Sequence, residues 1–366
     1  MSFLRTLFGQ RNDPQTAVER LAEYGVAATL RAKLATLIVS APERDLYRFH
    51  PFFLADALGI AHPEIFDLLA PAVMSGLFNL NWEAHCHCGN SQVAWTSLRE
   101  ARHHQTCTAC QGSYDASLDD EIAVSFTVND TVRPLGTAAQ DPVHHQRMVS
   151  RYGHFKGHDL LTVQVFRNLF VNEPLPTGES FEVRRMAVLF TDLGGSTALY
   201  ARQGDPRAFS LVREHFDVLL RVINHSGGVV VKTIGDAIMA AFPRSENALR
   251  AALESQRAMT AFNRERQLEA EDYLLLKVGI HAGPCLVVTL NERLDYFGTT
   301  VNAASRVEGQ AAPGEVLFTE EVRQDIQDSS LLQPLRFTQE ELRLRGLDER
   351  AFTIYRVSHP EPLSSG

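Results

Sequence analysis

Residues 184–197 read RRMAVLFTDLGGST: an apolar run from Met186 to Phe190, an aspartate two residues later, then two glycines, a serine and a threonine. An apolar run bounded by turn residues reads as a buried strand, and the glycine pair as a flexible turn that opens a helix. Asp192 is thereby expected at a strand end, beside a helix N-terminus. Downstream, SLVREHFDVLLRVINH (210–225) reads as a helix. GGVVVKTI (227–234) and AIMAAF (237–242) read as strands separated only by Gly235-Asp236, a two-residue hairpin signature. ENALRAALESQRAMTAFNRER (246–266) is an amphipathic helix. LLLKVGIHAG (274–283) and CLVVTL (285–290) are expected as two strands, TTVNAASRVEGQA (299–311) as a helix and EVLFTE (315–320) as a short strand. Helices alternating with both hairpin and crossover links indicate an α/β sandwich, not a purely parallel sheet.

The whole chain has 366 residues, enough for two or three domains. An apolar fraction of 45% with 22% charged residues excludes wholesale disorder. A net charge of −9 argues against a protein whose main task is gripping nucleic acid. No apolar run is long enough for a membrane span, and the start, MSFLRTLFGQRNDPQ, has neither the apolar core nor the cleavage site of a signal peptide. It is expected to be a frayed terminus. Five cysteines are too few and odd in number for a secreted disulfide framework, so a cytoplasmic location is expected. Pro174, Pro176 and Gly178 break the apolar pattern at VNEPLPTGES. We therefore divide the chain into a helical segment (1–45), an N-terminal α/β domain (46–170), a linker (171–181), a C-terminal domain (182–358) and a flexible tail (359–366).

Asp192 and Asp236 are the carboxylates that position alone singles out. Amide N–H groups of a glycine turn face an anion, the helix dipole favours it, and a neighbouring carboxylate can hold the cation between them. Mg²⁺ takes one or two protein carboxylates plus phosphate oxygens, so two aspartates suffice. The plainer reading is that each aspartate simply forms its turn.

FTDLGGST (190–197), KTIGDAIMAAF (232–242), LKVGIHAG (276–283) and DYFGTTVNAASR (295–306), in that order, resemble the catalytic domain of class III nucleotidyl cyclases. The resemblance runs from about Arg184 to Val357 and includes the ending LRLRGLDERAFTIYRV (342–357). It implies a ferredoxin-like α+β sandwich that converts ATP to 3′,5′-cyclic AMP and pyrophosphate with two Mg²⁺ or Mn²⁺ ions per site. By the same resemblance Asp192 and Asp236, with the Leu193 carbonyl, hold the metals. Lys232 and Asp295 select the base, and Asn302 and Arg306 orient the ribose and stabilise charge on the phosphorus. Arg345 and Lys277 contact the triphosphate. A lysine can donate to adenine N1 and an aspartate can accept from the exocyclic amine, a pairing that guanine reverses. The family builds its site across a head-to-tail dimer, and this chain carries both halves, which implies a homodimer. The alternatives are a guanylate cyclase and a non-catalytic nucleotide-binding regulator.

Upstream, PFFLADALGIAHPEIFDLLAPAVMSGLFNLNW (51–82) reads as helix, turn at Gly59, helix, stop at Gly76 and strand, the outline of a winged helix. EIAVSFTVND (121–130) alternates as a strand does. This half resembles the N-terminal region of some bacterial cyclases. Acidic residues outnumber basic ones over residues 1–180, and the second helix has no Arg or Lys to reach a groove, so regulation or protein contact is expected instead of nucleic acid binding. Cys86 and Cys88, then Cys107 and Cys110, could supply four thiolates for a structural Zn²⁺. The first pair is one residue closer than usual, His85 or His87 could replace a cysteine, and four solitary thiols are the alternative. His281 is expected to be a packed core histidine and Cys285 a small buried hydrophobe.

Overall fold

The computed structural model describes residues 13–89, 91–169, 174–347 and 351–358. The expected frayed start up to residue 12, residues 171–173 of the linker and the expected tail 359–366 lie outside the described residues. Contacts divide the chain into two units. The first comprises Met1–Leu161, Val165–Phe181 and Thr289–Leu294, and the second Thr162–Gln164, Glu182–Val288 and Asp295–Gly366.

In the first unit, helices Pro51–Leu58 and Ile65–Met74 flank Gly59, whose φ of 68° ends the earlier helix. They precede strand Phe78–His85, the centre of an antiparallel three-stranded sheet with Ser91–Trp95 and Ile122–Val128. The strand runs three residues beyond the expected Trp82 because Glu83, polar in sequence, is buried and accepts a hydrogen bond from Ser125. His50 caps the helix at Pro51: its Nδ1 accepts from the Phe52 N–H at 3.1 Å, and its ring stacks on Tyr152. A separate hairpin pairs His104–Thr106 with Ser113–Asp115. Among the described residues no single helix is long and apolar enough to cross a membrane.

The second unit begins with β1 (Phe181–Gly194), α1 (Ser196–Gln203), α2 (Asp205–His225), β2 (Val229–Ile234), β3 (Ala237–Phe242) and α3 (Ser245–Glu265). It continues with β4 (Leu275–Leu290), β5 (Arg293–Phe297), α4 (Thr299–Glu308), β6 (Glu315–Thr319), α5 (Glu320–Asp325), β7 (Thr338–Leu342) and β8 (Phe352–Ser358). One eight-stranded sheet has the order β7-β8-β6-β4-β1-β3-β2, with β5 paired to β4. The block β4-β1-β3-β2, with α2 and α3 as its crossovers, is the ferredoxin-like arrangement that the sequence implied. Alternation along β6 separates the two faces: Val316 and Phe318 pack with residues of α2 and α3, whereas Leu317 packs with Ala303 and Val307 of α4.

Two expectations need correction. The segments 274–283 and 285–290 are not two strands but one, Leu275–Leu290. Pro284 lies at an exposed position, where a missing N–H costs the ladder little. The hairpin into β5 was not expected at all. Its turn is Asn291-Glu292, with φ of 50° and 62°, a left-handed pair that usually advertises itself with glycine.

Candidate active site

The register Thr191↔Ile238 between β1 and β3 puts Asp192 and the Gly235-Asp236 turn at the same end of two adjacent strands. The turn after β1 depends on both glycines. Gly195 has φ of 79°, and a Cβ on Gly194 would lie 2.5 Å from Pro313 Cγ. The Leu193 side chain is buried and anchors the turn from below.

Lys277, expected at the triphosphate, is engaged within its own chain. Its Nζ lies 3.2 Å from Asp192 Oδ2 and 2.7 Å from Glu308 Oε1. Burial works against its charge, but hydrogen bonding to Glu308 and then Asp192 holds the ammonium above the ordinary lysine range. Burial pushes the Glu308 carboxyl up; Lys277 opposes that shift, while Asp192 and Asp236 add to it by repulsion. Lys277 thus serves two carboxylates while a third, Asp236, repels Glu308, and Asp236 Oδ2 is buried with no hydrogen-bond partner among the described residues. An excess of hard oxygen donors with one orphaned oxygen fits a divalent cation such as Mg²⁺ or Mn²⁺.

Glu308 escaped the sequence reading. The signal was Gly279, inside a strand: a Cβ there would meet the Glu308 backbone nitrogen at 2.1 Å, so the end of α4 can approach β4 only over a glycine. Two buried amides fix the same strand end. Gln256 donates to the Leu276 carbonyl, and Asn263 exchanges hydrogen bonds with both backbone groups of Leu274. His215 was also missed. It is fully buried on α2, and burial lowers its pKa against the opposing effects of the Val212 carbonyl and the Asp236 charge.

The expected base-selecting pair does come together. Lys232 Nζ lies 2.5 Å from Asp295 Oδ2, and Asp295 Oδ1 accepts from the Tyr296 N–H. Asp295 is buried while the Lys232 side chain is 39% exposed, so the pair presents its cationic end outward. Asn302 and Arg306, one helical turn apart on α4, are both exposed, and Arg306 has no ion-pair partner among the described residues. Arg345 is exposed between β7 and β8. His281 is a core histidine, its Nδ1 2.8 Å from Thr319 Oγ1, and Cys285 is buried. In the first unit, Cys86, Cys88, Cys107 and Cys110 converge, with all four sulfurs within 4.8 Å of one another.

Comparison with known proteins sets similarities beside this geometry. Residues 179–355 match the family model described as the adenylate and guanylate cyclase catalytic domain, and residues 12–156 match a family of unknown function. An adenylate cyclase of Anabaena cylindrica is 32% identical over 208 residues, which is 52% of this chain and 41% of that protein. An adenylate cyclase of Mycosarcoma maydis is 31% identical over 162 residues, 40% of this chain and 6% of that protein. The chain therefore spans less than half the length of these curated relatives. Among solved structures, the adenylyl cyclase CyaB from P. aeruginosa superposes with a TM-score of 0.44 at 22% identity, covering 49% of this chain and 95% of that one.

Proposed function

We propose that this chain, whose residues 179–355 match the family model of the adenylate and guanylate cyclase catalytic domain, converts ATP to 3′,5′-cyclic AMP and pyrophosphate, at sites shared between two copies of itself. The observation that carries the proposal is the pairing of Asp192 and Asp236 at adjacent strand tips, with Asp236 Oδ2 left without a partner. Divalent cations held by Asp192, Asp236 and the Leu193 carbonyl would supply positive charge to the triphosphate and acidify the ribose 3′-hydroxyl.

The remaining work falls to side chains. Lys232 donates to adenine N1 and Asp295 accepts from the exocyclic amine, so the ion pair that holds them together also tunes them for adenine. Asn302 orients the ribose, so that its 3′-oxygen is in line with the α-phosphorus and opposite the departing pyrophosphate. Arg306 presents a fork of N–H donors to the equatorial oxygens, where negative charge accumulates. Arg345 steadies the β- and γ-phosphates. Lys277 holds Asp192 and Glu308 in place and limits their mutual repulsion.

A homodimer accounts for the division of these groups. Arg306, exposed and without an ion-pair partner among the described residues, and Asn302 one turn away face outward from one copy, suited to complete the aspartate cleft of a second. The first unit carries none of the four cyclase motifs and serves as the regulatory region.

The test is turnover by the purified full chain with Mn²⁺ or Mg²⁺. ATP should yield cyclic AMP, and GTP should be a poor substrate. Turnover of GTP alone would overturn the base assignment, and no turnover of either nucleotide would remove the enzyme reading. For the shared site, an inactive Asp192→Asn chain mixed with an inactive Arg306→Ala chain should regain part of the activity. Proven mixed dimers without any recovery would refute it.

A further inference from the structure

The first unit contains a second polar cluster, with different chemistry. Cys86 and Cys88 follow directly on the central strand Phe78–His85, at the point where its pairing with Ser91–Trp95 becomes irregular, between Ala84 and His85. Cys107 and Cys110 occupy the turn of the hairpin His104–Thr106/Ser113–Asp115. Across the two pairs, Cys86 Sγ lies 3.6 Å from Cys110 Sγ and Cys88 Sγ lies 3.5 Å from Cys107 Sγ. A tetrahedral zinc with four thiolates at about 2.3 Å sets its sulfurs about 3.8 Å apart. A disulfide would require about 2.05 Å, far less than either separation.

The backbone is shaped for sulfur ligands as well. The Cys110 N–H donates to Cys107 Sγ at 3.3 Å, which favours the thiolate over the thiol. The Cys107 N–H donates to the Gly112 carbonyl, and the Gln111 N–H returns to the Cys107 carbonyl. Gln111 takes the left-handed conformation, with φ of 59°, that folds the turn back beneath the sulfurs. A Cβ on Gly112 would sit 3.4 Å from Cys110 Sγ. The two histidines that could have replaced a cysteine point to other partners: His87 Nε2 lies 3.1 Å from Glu121 Oε1, and the His85 ring lies 4.5 Å from that of His154.

The hairpin has little apolar interior of its own. Each of its strands has three residues, two of them exposed, and a two-stranded ribbon of that length is not stable in water without a core. Yet Cys107 at its turn is fully buried. The four convergent sulfurs join this segment to the residues that follow the central strand.

We propose that Cys86, Cys88, Cys107 and Cys110 bind one Zn²⁺ as a closed tetrathiolate site that fastens the 104–115 hairpin to the central strand of the first unit. All four positions are filled by protein, so the ion is structural and takes no part in nucleotide chemistry. The proposal is independent of the cyclase reading.

The experiment uses the full chain purified without chelator. Elemental analysis should find about one zinc per chain, retained through dialysis. Exchange for Co²⁺ should give the visible ligand-field bands and the sulfur-to-metal charge transfer of a tetrahedral thiolate centre. Cys88→Ser and Cys110→Ser, at the two exposed positions, should weaken metal retention by at least about tenfold. If either variant fails to fold, the wild-type Co²⁺ spectrum alone decides. A chain without metal whose Co²⁺ form lacks the thiolate bands overturns the site. So does a mass-spectrometric finding of Cys86–Cys110 or Cys88–Cys107 disulfides in protein purified under reductant.

Discussion

The aspartate tips of the second unit and the cysteine turn of the first are both tight gatherings of like side chains, but they rest on opposite foundations. Asp192 and Asp236 stand at the ends of strands whose interior is fixed by a broad apolar core, including Ala187, Leu189, Ala240 and Phe242. The apolar core does not include them, and Asp236 Oδ2 has no hydrogen-bond partner among the described residues. Two of the cysteines sit at the turn of a hairpin with almost no apolar interior, and the cluster joins that hairpin to the residues after the central strand. Polar groups that strain against their surroundings mark chemistry, whereas polar groups that knit together a segment with little apolar interior mark structure.

The sharpest way to break that contrast is Asp236→Asn. We expect cyclase activity to fall by at least about a hundredfold. Thermal stability should stay level or rise, because the change removes a charge that repels Glu308. A marked loss of stability would place Asp236 among the structural groups.

Cys88→Ser should behave in the opposite way. The two tryptophans of the chain, Trp82 and Trp95, are cross-strand partners in the first unit, so tryptophan fluorescence reports that unit alone. Its melting transition should drop and broaden in Cys88→Ser, while Asp236→Asn leaves it in place. Equal shifts in both variants would erase the distinction.

Base selection should give a smaller effect. Lys232→Glu combined with Asp295→Cys reverses the hydrogen-bonding pattern offered to the purine. The ratio of kcat/KM for ATP to that for GTP should fall by roughly 10–100-fold, with the fluorescence transition unchanged. An unaltered ratio would detach this pair from the base.

The smallest effect is one of pH. Burial, reinforced by the charges of His62 and His154, lowers His50 to about 4. Its Nδ1 must stay unprotonated to accept from the Phe52 N–H. Between the ordinary imidazole value of about 6.5 and that lowered value, the unfolded chain binds the proton and the folded chain does not. Stability contributed by the neutral ring is therefore complete above about pH 6.5 and declines as the pH falls toward 4, by on the order of 1 kcal/mol or more at pH 5. His85, also lowered to about 4 by burial and neighbouring positive charge, adds to the slope. The fluorescence melting midpoint should fall from pH 7 to pH 5, and His50→Asn, which retains a capping acceptor, should flatten part of that dependence. An identical slope in the variant would exclude His50 as its source.

Legibility differed between the two clusters for reasons of distance along the chain. Asp192 and Asp236 could be placed at strand tips because strong local turn and strand signals flank each, whereas the roles of Lys232 and Asp295 came only from the family resemblance. Glu308 could not be read, since its role arises from a helix end meeting a strand across Gly279, a contact between residues 29 positions apart in sequence. The hairpin at Asn291-Glu292 was hidden by turn residues that adopt left-handed angles without glycine. Glu83 concealed the end of its strand because a buried carboxylate looks, in sequence, like a surface one.

The sequence by itself determined most of the strands and helices of the second unit, the strand-tip location of Asp192 and Asp236, and the presence of four cysteines in two close pairs. Those properties follow from local periodicity and turn chemistry, which act over a few residues. Only the tertiary structure decided that Lys277 sits between Asp192 and Glu308, that Asp236 Oδ2 is stranded, and that the two cysteine pairs converge to tetrahedral spacing. These depend on sheet order and on which backbones approach closely, quantities set by packing of the whole domain and encoded in no single stretch of chain.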